Sequence, residues 1–89
     1  MTKVKQLEKF IKKNNLEFNS GSGGDVNVLA LCGYACYIES SLEEIKSSIP
    51  EESITSDLFI EIERVFDYAS IHNYAKWWSS ETAKKQWKF

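Results

Sequence analysis

The chain has 89 residues, 27% charged, 43% apolar and 13% aromatic, with 11 Lys and Arg against 13 Asp and Glu for a formal charge of -2. This is the balance of one globular domain over residues 1–89, with room for a single core and little surplus stability for an elaborate catalytic cavity. Two cysteines are too few for a stapled secreted framework, MTKVKQLEKF lacks the apolar stretch of a signal peptide, and Val26 to Ile38, the longest uncharged run, falls short of the roughly 20 residues that cross a bilayer. A cytoplasmic setting without membrane insertion is expected.

In chain order, residues 2–14 place Val4, Leu7, Phe10 and Ile11 at helical spacing, with lysines on the remaining faces, Thr2 as cap and an end at Asn14-Asn15. The glycines between Asn19 and Asp25 permit positive φ and predict a loop. Residues 26–38 (VNVLALCGYACYI) contain many strand-favouring side chains. Their length, Asp25 as N-cap and the spacing of Val28, Leu31, Cys32, Ala35 and Ile38 nevertheless predict a buried helix. The competing reading is a hairpin around residues 16–31, which makes the fold α+β.

Ser40-x-x-Glu43 and Ser41-x-x-Glu44 both match a capping box, so a short helix begins near Leu42, turns Leu42, Ile45 and Ile49 inward and stops at Pro50. Thr55 or Ser56 opens the most regular helix, residues 57–72, with Leu58, Ile62, Val65 and Ala69 on one stripe. Ser79 or Ser80 opens a last helix, with Glu81 near its start and Lys84, Lys85 and Lys88 near its end. The expected fold is all-α, a compact bundle of four to five helices around residues 26–38.

Charge is segregated along the chain. Residues 1–16 carry five Lys and one Glu, net +4; residues 17–67 carry Lys46 and Arg64 against eleven acids, net -9; residues 68–89 carry four Lys and one Glu, net +3. The simplest reading is a solvated surface; the sharper one is an acidic face, including Glu43, Glu44, Glu51, Glu52 and Glu61, that engages a basic protein surface and competes with phosphates if that surface holds nucleic acid. The C-terminal stretch from Tyr74 holds Trp77, Trp78 and Trp87. Such rings close the core of a small protein, but adjacent Trp77 and Trp78 cannot both point inward on a helix, so one is a candidate interface anchor.

Other chemistries find less support. Gly21, Ser22, Gly23 and Gly24 before a helix start suggest a phosphate cradle and, as an alternative, a nucleotide-binding module; there is no GxxxxGK[ST], and Asp25 would put a carboxylate where the anion sits. Cys32, Cys36 and His72 cannot supply four soft metal ligands, and an apolar setting raises a thiol pKa, so no metal, cofactor or catalytic residue is expected. Residues 29–49 outline a helix-turn-helix, hence a second alternative as a DNA-binding transcriptional regulator, although Glu43 and Glu44 would face phosphates there.

ALCGYACYIESSLEEI (30–45) and NYAKWWSSETAKKQWKF (73–89) resemble segments of small early-region proteins of bacteriophages and prophages of Gram-positive bacteria. The resemblance covers about a third of the chain and contains no catalytic motif. It implies a protein that modulates a host or phage machine by binding it, a class that includes anti-defence inhibitors such as anti-CRISPR proteins. Non-enzymatic binding to a host or phage protein is thus the expected role, with homo-oligomerisation left open.

Overall fold

The computed structural model describes residues 2–18 and 26–89. Among them are six α-helices, α1 (Lys3–Lys13), α2 (Val26–Tyr37), α3 (Leu42–Ser48), α4 (Ser56–Ile71), α5 (Tyr74–Trp78) and α6 (Glu81–Gln86), a 3-10 turn at Glu51–Ser53, and no strand. The fold is all-α, and the four helices of seven residues or more match the expected bundle. Val26 to Leu31 is helical, so the hairpin alternative is not formed. Asp25 as a cap and the cradle at Gly21, Ser22, Gly23 and Gly24 lie outside the described residues.

Side-chain oxygens set four of the helix starts. Thr2 Oγ1 accepts from the Lys5 amide at 3.2 Å, Ser41 Oγ from Glu44 at 3.2 Å, Thr55 Oγ1 from Leu58 at 3.1 Å and Ser80 Oγ from Ala83 at 3.3 Å, each satisfying an amide with no partner inside its helix. Of the two candidate boxes at α3, Ser41 with Glu44 is the one that forms, the Ser41 amide donating back to Glu44 Oε1 at 2.8 Å. Ser40 instead is buried and donates to the same carboxylate at 3.2 Å. These bonds hold the Glu44 carboxyl below its ordinary value, the backbone amide of Ser41 contributing most.

The ends of α1, α2 and α4 share another device. Asn15, Glu39 and Asn73 follow the caps in left-handed backbone, with φ of 52, 58 and 54°. After α1, the Leu16 amide reaches back to Ile11 O at 3.0 Å and Asn15 to Lys12 O at 3.3 Å; after α2, Ser40 reaches Ala35 O at 2.8 Å and Glu39 reaches Cys36 O at 3.1 Å. Both are Schellman closures, and they tuck buried Leu16 and Ser40 under the helix they terminate.

Helix α2 is apolar on every side and accordingly lies in the interior, touching α1, α3, α4 and α5. Val28, Leu31, Cys32 and Ala35 are fully buried in it, against Leu58, Ile62 and Ala69 of α4 and Leu7 and Phe10 of α1 within one core. Gly33 lies where Trp78 of α5 crosses: a methyl group there would come within 3.3 Å of indole Cδ1 and Cε2, and closer still to Nε1. The close approach of α5 to α2 therefore depends on a missing side chain.

The C-terminal segment is fastened by one amide. Asn14 Nδ2 donates to Lys88 O at 2.7 Å and to Phe10 O at 2.9 Å, while the Lys88 amide donates to Asn14 Oδ1 at 2.8 Å. On either side of Lys88, Trp87 and Phe89 join an aromatic cluster with Phe10, Tyr34, Tyr37 and Trp78, in which Phe10 and Tyr34 stack at 4.2 Å and Trp78 meets Phe10 edge-on at 5.6 Å. Pairs of this kind contribute about 0.5–1.5 kcal/mol beyond simple burial.

Candidate functional site

Asn73 interrupts what would otherwise be one helix from Ser56 onward, and the resulting corner aims α5 back at α2. Successive residues of a helix project about 100° apart, so α5 can bury only one ring of its Trp pair. Trp78 goes inward, 2% exposed, and Trp77 stays outside at 40%, their rings perpendicular at 5.3 Å. Between the start of α2, the α4–α5 corner and Trp87 this leaves a groove of about 610 Å³.

Its floor is Leu29, Ala30, Trp78 and Trp87, and Val26, 64% exposed, and Trp77 stand on its rim. The polar wall consists of His72, Asn73, Tyr74 and Lys76. The His72 ring lies against Tyr68 at 4.3 Å; Tyr74 meets Tyr68 edge-on at 5.6 Å and donates its hydroxyl proton to the Tyr68 oxygen at 3.5 Å, which raises the Tyr74 pKa. This size falls within the range of ligand pockets, and a floor of rings with a few convergent polar groups is their usual construction.

Of the residues singled out in the sequence, Tyr74, Trp77 and Trp87 come together here, with Trp87 half-buried. Trp78 does not belong to the exposed set, because it is the ring that fills the space over Gly33. Val26, His72 and Lys76 are not among the residues the sequence singles out for partner binding, since the placement of α5 against the start of α2 is a long-range event. Asn73, directly after a regular stripe, was the available local signal.

The acidic face divides differently. Glu43, Glu51 and Glu52 are exposed, as is Asp57, and Ile54 between them in sequence is 41% exposed. Lys46, the nearest base in sequence, is taken by Glu63 at 2.7 Å, an interaction that raises the Lys46 pKa. Glu44 is half-buried and committed to the capping box. Glu61 is not on the face at all: it is 7% exposed, and neither carboxylate oxygen has a hydrogen-bond partner among the described residues. Its register explains the correction, since Glu61 stands three residues after Leu58 and four before Val65, on the inward stripe of α4.

Cys32 is buried, its Sγ directed at Ile62 O at 3.8 Å, and burial above all, with Cys36 and Glu61 adding to it, pushes the thiol far above its ordinary value. A thiol so placed is a core group. His72, the C-cap of α4, is exposed. Among the described residues, no group of three or more His, Cys, Asp or Glu is arranged to hold a metal ion, and no helix is long and apolar enough to cross a membrane. Over residues 29–49, α3 presents Glu43 in its first turn and its one lysine is tied to Glu63, an arrangement opposed to a phosphate backbone. Searches against protein-family models, curated proteins and solved structures return no significant match to this chain.

Proposed function

We propose that this chain is a non-enzymatic binding module of the phage or prophage type, acting in the cytoplasm, which docks on a host or phage protein through the aromatic groove and modulates it. The observation that carries the reading is the split Trp pair: Trp77 and Val26 remain in water beside a concave floor already built from Trp78 and Trp87. Exposed aromatic anchors beside a pocket are where binding energy concentrates in protein interfaces.

A second reading is favoured by Ile54, an exposed apolar side chain with Glu51, Glu52 and Asp57 as near neighbours in sequence, which suits a basic partner surface of the kind found on nucleic-acid-binding machines. Affinity capture from host cells with three baits separates the two. The groove reading expects a partner that is lost with Trp77→Ala and retained with Glu51→Lys/Glu52→Lys; the reverse pattern assigns the contact to the acidic corner, and equal capture by all three removes both.

A further inference from the structure

We infer that the groove selects a peptide segment of its partner that combines bulky apolar anchors with carboxylates, so that this overall acidic protein docks an acidic ligand. The inference rests on reading the groove as the docking site and adds the chemistry of its occupant. No Asp or Glu among the described residues lines the groove, although the chain carries 13 of them. The groups that do line its wall are the cationic Lys76, the imidazole of His72, the amide of Asn73, and Tyr74, whose hydroxyl is engaged with Tyr68.

Lys76 is exposed and makes no ion pair among the described residues, unlike Lys46, whose charge is taken by Glu63. Around it the sequence from Tyr68 onward is net +3, against net -9 for residues 17–67. A carboxylate entering the groove therefore meets an unspent ammonium group, and an approaching acidic segment is drawn toward this end of the molecule and away from the α3–α4 corner. The apolar surface of the rim is itself broad, since Val26 and Trp77 are both exposed. A peptide with several anchors covers Val26 and Trp77 together, which a small carboxylate filling only the cavity does not.

The test begins with a displayed random 12-residue peptide library, selected on the intact protein and counter-selected on Trp77→Ala. Selected peptides should pair Leu, Phe or Trp with Asp or Glu. One of them and its Glu→Gln counterpart are then titrated by the change in Trp fluorescence. The acidic peptide should bind about fivefold more tightly at low salt, the worth of an exposed ion pair, and the preference should shrink as salt is added. Lys76→Gln should abolish the preference while leaving the apolar contribution and the melting temperature in place. Selection of neutral or basic peptides that still require Trp77 overturns the acidic preference and leaves the groove reading standing. Failure to select any Trp77-dependent peptide overturns both. Indole-3-acetate displacing the peptide at matched affinity shows a small-molecule pocket instead and overturns the inference.

Discussion

Gly33→Ala sets two physical effects of opposite sign against each other. In the interior of a helix, Ala is favoured over Gly by about 0.8–1.0 kcal/mol, so propensity alone expects a gain at this position of α2. The structure expects a loss. The added methyl would meet the Trp78 indole, and that ring cannot retreat freely because Phe10, Tyr34, Trp87 and Phe89 surround it with centroids 5.6–5.9 Å away. Overpacking of this kind costs about 1–3 kcal/mol. The net expectation is a destabilisation of up to about 2 kcal/mol, which in a domain of this size lowers the melting temperature by up to roughly 8–16 °C. Circular-dichroism melts of Gly33→Ala, Trp78→Phe and the double variant measure it. The smaller ring should absorb the methyl, so the double variant should lose less than the sum of the two single changes. A rise in melting temperature for Gly33→Ala, or strict additivity, refutes the argument that α5 sits on a deliberately bare patch of α2.

Glu61→Leu should raise stability by about 1–3 kcal/mol in urea unfolding, because it replaces two buried oxygens without partners among the described residues by apolar volume; a loss of stability would refute this. Asn14→Ala should cost about 1–3 kcal/mol through its three hydrogen bonds and expose Trp87 to fluorescence quenching by acrylamide. In the native protein, iodoacetamide should modify Cys36 and spare Cys32 until the chain unfolds, as mass spectrometry of peptides would report. The Glu44 carboxyl is held below its ordinary value in the fold, chiefly by the Ser41 amide, so its contribution is complete above that ordinary value and disappears as pH falls through the lowered folded one. Glu44→Gln should flatten the acid limb of the stability curve in that window.

What the sequence discloses, and what it withholds, follows the range of the forces involved. Helix starts are local: Thr2, Ser41, Thr55 and Ser80 each find an amide three residues on, and spacing alone places each start to within one residue, leaving the choice between Ser40 and Ser41, Thr55 and Ser56, and Ser79 and Ser80 to the structure. The stripe Leu58, Ile62, Val65 and Ala69 is also local, and it is buried as expected. The same periodicity could have identified Glu61 as inward-facing, but grouping carboxylates by charge obscured their register. The choice between Trp77 and Trp78 is of another kind, because both have the same composition and neighbouring phases. It is decided by an absent Cβ on another helix, forty-five positions earlier for Trp78. The groove inherits that difficulty, as Val26 and Trp77 meet only after α5 has docked.

The amide clasp between Asn14 and Lys88 joins positions 74 apart, and contacts so distant in sequence carry a large loop-closure cost that nearer contacts do not. Such a contact is expected to form late, after the α2–α4 pairing has drawn the chain together. Kinetically, the clasp acts as a latch on the finished protein: loosening it should leave the refolding arm of a chevron almost unmoved and steepen escape from the native state, shortening the lifetime of the fold more than it slows its assembly.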